Sequence, residues 1–229
     1  MMKYILSCIV LITLLASCGG DKHESKNPMF AYFYEVDSVP RIYLYRDIAH
    51  GLDEQFHRIY SVTDAKGDHI VVEVYATDGR ILEAINYNVD SLDVMDHMVV
   101  NRNLEKAKAE VFKDKLIPMN DQEEVWFATR FQGFLDSTLI LKEIKRKVSG
   151  KEIQHEVLGE QVPTIVMKDR VRMTNFNPFT KKESVLEGKS TNYFAKGYGL
   201  VEWHTPDKKV HYKLEKILTQ EEFLQIIAH

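Results

Sequence analysis

The sequence predicts an all-β fold: a long antiparallel meander curled into a curved sheet or half-open barrel, with at most one or two short helices. Three observations lead there. From residue 30 onward apolar and polar residues alternate mainly with period two, as in strands with one buried face. Turn-forming clusters recur between these runs; Asp78-Gly79 between two β-rich runs is the clearest hairpin signal. No helical blocks alternate with the strands, as a parallel α/β sheet would require.

The elements follow in order. Phe30, Tyr32 and Tyr34 alternate with Ala31, Phe33 and Glu35, and residues 41–45 follow after the turn Asp37-Ser38-Val39-Pro40. Together they read as a hairpin. Residues 56–63, 69–76, 81–87, 94–100 and 106–112 continue the series, with a partly helical pattern overlapping residues 90–102. Beyond Pro118 and an acidic loop come residues 125–132, 138–148, 164–174, 183–188, 191–195, 200–204 and 210–217. Thr219 and Glu222 have the spacing of a capping box, which predicts a short terminal helix over 220–227; a final strand is its rival, because Phe223, Gln225 and Ile227 also alternate. So long a meander must close, curl or be covered at its edges. Its concave apolar face is either filled by the chain's own side chains or left open to an apolar ligand.

The first residues carry a different signal. Lys3 precedes an almost wholly apolar run over residues 4–15, which ends in Leu15-Ala16-Ser17-Cys18. The run is shorter than the roughly 20 residues needed to span a bilayer, and it closes on a small-residue cleavage box. With Cys18 directly after the box, the stretch resembles the lipobox of bacterial lipoprotein signals. That resemblance implies a signal peptide over 1–17, acylation of Cys18, a tether over 18–28 and a single β-rich domain over 29–229. Two or more acyl chains hold a protein stably on a membrane without a span. Gly19 stands where an aspartate would resemble an inner-membrane retention signal. The expected location is therefore the cell envelope, at the outer membrane rather than the inner.

Loss of residues 1–17 leaves 212 residues, enough for one full core, and removes Lys3, taking the formal charge from −4 to −5. Acids and bases are interspersed without a basic block, so no nucleic-acid partner is expected. Cys8 lies in the signal, and no cysteine follows Cys18. That removes disulfides, thiolate metal sites and a cysteine nucleophile.

Motifs of catalysis are missing: there is no phosphate-binding loop, no Gly-x-Ser-x-Gly elbow and no His-Glu-x-x-His. No cofactor is expected. His50, Asp53, Glu54 and His57 would share one helix face, but Gly51 and the alternation over residues 56–60 read as loop and strand. No metal site is assigned to them. His204 and His211 face each other across a predicted hairpin, half a site at best. The candidate ligand surface is Tyr32 and Tyr34 set opposite Tyr43 and Tyr45. Exposed, such a ladder would stack on sugar rings or a partner; buried, each pair holds two strands together by about 0.2–1 kcal/mol.

Residues 193–203 read Tyr-Phe-Ala-Lys-Gly-Tyr-Gly-Leu-Val-Glu-Trp. They resemble a segment of β-rich envelope lipoproteins of Bacteroidetes, in which such a stretch precedes a late hairpin and carries no known chemistry. A lipobox followed by a β-meander is also similar to envelope lipoproteins with the half-barrel of lipoprotein carriers, which hold acyl chains on the concave face. The resulting expectation is a non-enzymatic, membrane-anchored envelope lipoprotein that binds an apolar small molecule, an acyl chain or an envelope protein on a curved sheet. The alternative is a glycan-binding or surface-assembly accessory using the Tyr/Phe hairpin. A carboxylate- or histidine-based hydrolase comes third.

Overall fold

The structure, a computed structural model, describes residues 25–51, 53–101, 104–133 and 138–228. Cys18 and the signal segment lie outside the described residues. The strands are β1 (Arg41–Asp47), β2 (Glu54–Asp64), β3 (Gly67–Ala76), β4 (Ile81–Asn88), β5 (Val94–Val100), β6 (Lys106–Lys108) and β7 (Glu110–Asp114). They continue with β8 (Glu124–Gln132), β9 (Leu139–Val148), β10 (Ile153–Val157), β11 (Glu160–Asn177), β12 (Lys182–Ala195), β13 (Gly199–His204) and β14 (His211–Leu218), and helix α1 (Gln220–Ile227) ends the series. The sheet order is β6-β5-β4-β3-β2-β1-β14-β13-β12-β11-β9-β8-β7, with β10 paired to β11. Neighbours are antiparallel throughout, and the first strand lies beside the last.

One segment nearly closes the sheet into a barrel. β6 pairs with β5, and β7 pairs with β8. Between them Ala109, almost fully buried, donates its N–H to the His97 carbonyl at 2.8 Å. An isolated bridge, Asp93 to Lys115, continues the seam. The predicted strand over 106–112 is therefore two short strands, because the chain changes partners at Ala109. Joining the two ends of the sheet is how the meander disposes of its edges.

The hairpin expected at residues 30–45 does not form. Pro28–Tyr32 is a 3-10 turn. Asn27 caps it, its side-chain oxygen accepting from the Met29 N–H at 2.9 Å, with Pro28 at the first turn position where its missing donor does no harm. Asn27 is itself buried and tied to the 88–93 turn, its side-chain amide donating to the Ser91 carbonyl at 3.0 Å. Ser25 and Asn27, within the stretch read from sequence as the end of the tether, are thus tied to the body, while Lys26 and Pro28 between and after them are exposed. β1 takes β2 and β14 as partners instead.

Other corrections are local. Residues 183–188 and 191–195 are one strand, β12, running uninterrupted against β11. β10 pairs with the start of β11 through a turn at Leu158 and Gly159, both at positive φ; its residues carry too little apolar alternation to be read beforehand. Asp90 and Ser91 lie in a turn, and no helix forms between β4 and β5.

Helix α1 appears as the spacing predicts. Thr219 accepts from the Glu222 N–H at 3.2 Å, and the Glu222 carboxylate accepts from the Thr219 N–H at 2.8 Å. Phe223 is buried against the rings of Phe56 and Tyr75, each at 5.3 Å, over Ile42, Leu44 and Leu218. This second small core lies on the outer face of β1 and β2; the main core fills the inner face.

Candidate functional site: barrel interior and outer wall

The concave face is occupied by the chain's own aromatic side chains. Phe33 and Tyr34, brought in by the 3-10 turn, enter among Tyr43, Tyr45 and Tyr87. Phe33 meets Tyr87 edge-on at 5.0 Å, and Tyr34 meets Tyr43 edge-on at 5.5 Å. Tyr45 donates its hydroxyl to the Leu200 carbonyl at 2.6 Å. Of the four tyrosines proposed as a ligand surface, Tyr34, Tyr43 and Tyr45 are therefore buried. Tyr32 alone stays partly exposed, hydrogen-bonded to Glu152. The cross-strand ladder is absent because residues 30–34 are no strand. These rings do their work as core, burying area that is worth roughly 25 cal/mol per Å².

Deeper along the interior an aromatic stack runs from His57 over Trp203 to Tyr212. Trp203 lies 4.8 Å from Tyr212 at an interplanar angle of 9°, and 5.7 Å from His57. Tyr212 donates to the Asp53 carboxylate at 2.6 Å. His57 Nδ1 is buried without a partner, and burial lowers the His57 pKa from 6.5 to about 4. The unfolded chain therefore binds a proton on this residue between pH 6.5 and 4 while the native state does not. Stability falls as pH drops through that window. From pH 7 to pH 5 the loss is expected to be about 2 kcal/mol. Urea titrations at the two pH values check it, and His57→Gln should flatten the difference.

Two charged clusters cross the interior. Arg146 on β9 and Asp169 on β11 form a buried bidentate pair, with Nε and Nη2 each 2.8 Å from a carboxylate oxygen. Arg146 also donates to the Leu116 carbonyl at 3.3 Å, which anchors the loop before β8. Glu83 on β4 accepts from Lys142 on β9 at 3.1 Å and contacts His97 Nε2 at 3.2 Å, while His97 Nδ1 lies 3.2 Å from Thr129 on β8. The Lys142 charge, helped by His97, holds the Glu83 carboxyl well below the usual carboxylate range. This trio ties the two sides of the seam together.

On the outer face, Glu202 sits between two imidazoles. His155 Nε2 and His211 Nε2 lie 3.1 and 2.8 Å from its two oxygens. His204 and His211 do pair across the β13–β14 hairpin, with rings 5.2 Å apart. Among the described residues no group of three or more His, Cys, Asp or Glu side chains has metal-binding geometry.

The outer wall of β8, β9, β11 and β12 carries the most distinctive polar surface. Cross-strand register places Trp126, Lys145, Arg170 and Lys189 side by side in one row. The next row holds Glu124, Lys147, Lys168 and Thr191. Lys145, Lys147, Lys168, Arg170 and Lys189 are all exposed. Arg170 bonds Glu124 through one guanidinium nitrogen, at 2.7 and 2.9 Å. Among the described residues Lys145, Lys147, Lys168 and Lys189 have no carboxylate partner. The wall is hollowed here into a groove of about 540 Å³, adjoining one of about 380 Å³, and Pro206 from the β13–β14 loop lines both; Glu143 and Glu187 flank Arg172 in the larger hollow and Glu124 lines the smaller, so cations outnumber carboxylates in each. Trp126, 40 % exposed, is bracketed by Lys113 and Lys145, whose Nζ atoms lie 5.2 and 5.3 Å from its ring centre.

Comparison with solved structures places this fold among known shapes. A candidate lipoprotein of Parabacteroides distasonis superposes with a TM-score of 0.53 at 12% identity, over 86% of this chain and 100% of that one. A candidate exported protein with YmcC-like fold from Bacteroides fragilis gives 0.45 at 14% identity, over 82% of this chain and 100% of that one. No family model and no curated protein matches the chain. The barrel is thus shared with a solved structure, whereas the groove residues rest on the geometry of this chain alone.

Sequence reading missed the groove because its cations are not a block. They stand at every second residue, in Lys145-Arg146-Lys147 and Lys168-Asp169-Arg170. Alternation sends Arg146 and Asp169 inward, to neutralise each other, and the flanking cations outward. The available signal was a period-two basic pattern on two strands that turn out to be neighbours.

Proposed function

We propose that the protein is a lipid-anchored, non-enzymatic recognition module of the bacterial cell envelope, and that it holds a polyanionic ligand in the groove of its outer wall. The observation that carries this reading is the set of four lysines without carboxylate partners, grouped around Arg170 on adjacent strands. A surplus of cations over carboxylates in a concavity raises the local concentration of anions even on a chain of net negative charge. The filled interior supports the outer wall as the recognition surface. The anchor rests on Leu15-Ala16-Ser17-Cys18, with the outer membrane as its site, and a barrel shared with a candidate lipoprotein agrees with it.

The test uses the full-length chain in non-ionic detergent, with sodium polygalacturonate and sodium polyphosphate as polyanions. At low ionic strength at least one should bind, and binding should weaken steeply as salt screens the groove. The triple variant Lys145→Ser/Arg170→Ser/Lys189→Ser should lose binding with an unchanged melting temperature, since all three side chains are exposed. Equal binding by the triple variant and the parent, or no binding of either polymer, sinks the proposal.

A further inference from the structure

We infer that the groove's ligand is an acidic polysaccharide carrying one carboxylate per sugar, with a ring of the polymer stacked on Trp126. The inference rests on the groove reading above and narrows it. Trp126, Lys145, Arg170 and Lys189 lie in one row across four consecutive strands of the sheet. Neighbouring strands are about 4.8 Å apart, close to the length of one pyranose residue. A polymer running across the strands therefore meets one cation per sugar after the residue seated on Trp126. Each carboxylate lies near a lysine or the guanidinium, and the Arg170 fork can take one in bidentate fashion once Nη2 leaves Glu124.

The aromatic end of the row separates a glycan from other polyanions. An indole 40 % exposed on a strand, beside unpaired lysines, offers an apolar face to the C–H surface of a sugar. Polyphosphate and a phosphoglycerol headgroup present no such surface. Lys113, now held over the ring by cation–π attraction, is placed to swing onto the carboxylate of the stacked sugar, and Lys145, on the ring as well, turns to the next one. A uronate there exchanges a cation–π contact for an ion pair. Glu124, which holds one nitrogen of Arg170 in an exposed pair, is displaced at little cost.

The experiment compares sodium polygalacturonate with sodium polyphosphate and with glycerophosphoglycerol, the soluble headgroup of phosphatidylglycerol, using the full-length chain in non-ionic detergent throughout. Polygalacturonate should bind most tightly. Trp126→Ala should weaken it about tenfold, the equivalent of one aromatic contact, and leave polyphosphate within about twofold. Arg170→Ala should weaken both polymers. Tighter binding of polyphosphate or of the phosphoglycerol headgroup, or an equal effect of Trp126→Ala on both polymers, overturns the glycan assignment while the groove reading stands. Binding of neither polymer removes the groove reading itself. Trp126→Phe, which keeps a ring, should restore most of the polygalacturonate affinity; failure to do so also counts against stacking.

Discussion

Asp169→Ala is expected to lower the unfolding free energy by about 3–5 kcal/mol, the cost of stranding one partner of a buried ion pair. Arg146 is only 9 % exposed in its side chain, and its carboxylate partner 5 %. Removing Asp169 takes away two hydrogen bonds of 2.8 Å and leaves a guanidinium facing Phe194 and the interior. Some of the charge remains satisfied by the Leu116 carbonyl, so the loop before β8 should loosen less than the β9–β11 contact. Urea denaturation measures the loss. The double variant Arg146→Met/Asp169→Leu should regain most of it, because an apolar pair of similar volume carries no desolvation penalty. A single variant as stable as the parent would mean that water reaches the pair.

Gly199→Ala is expected to cost about 3–4 kcal/mol, from a left-handed backbone and an overpacked core acting together. Gly199 has φ +77°, and an added Cβ would stand 2.4 Å from two ring carbons of Tyr34. Tyr34 holds the N-terminal segment in the barrel, so the substitution should also expose residues 25–40 to limited proteolysis. Gly197→Ala supplies the contrast. Its φ is +76°, but the nearest atom to an added Cβ is a Glu35 oxygen at 3.9 Å. It should cost only the backbone share, about 1–2 kcal/mol, and leave the N-terminal segment protected. Equal losses in the two variants would remove Tyr34 packing from the explanation.

Much of the fold was legible because its causes are local. Alternation marks β2, β3, β4, β8 and β9 within a residue or two of their observed limits, since a half-buried strand needs period two. Gly79 turns the β3–β4 hairpin at φ +76°, and the capping pair of Thr219 and Glu222 starts α1. The N-terminal hairpin misled because aromatic alternation over 30–34 looks the same whether the rings face a partner strand or a barrel interior. Pro28 and the Asn27 cap decided for a 3-10 turn, and the filled interior gave Phe33 and Tyr34 their place. The groove was illegible for a related reason: its cations come from β9, β11 and β12, and only strand register brings them level. A slip of one residue would have sent Arg146 and Asp169 outward and Lys145 and Arg170 into the core.

By itself the sequence determined an antiparallel β architecture, its turns and its closing helix, because period, turn chemistry and capping act over a few residues. Tertiary structure alone decided that the sheet nearly closes, that the chain's own N-terminal segment occupies the concave face, and that scattered lysines meet on one wall. Those outcomes depend on which strands become neighbours and in what register, contacts between residues far apart in the chain that no local pattern specifies.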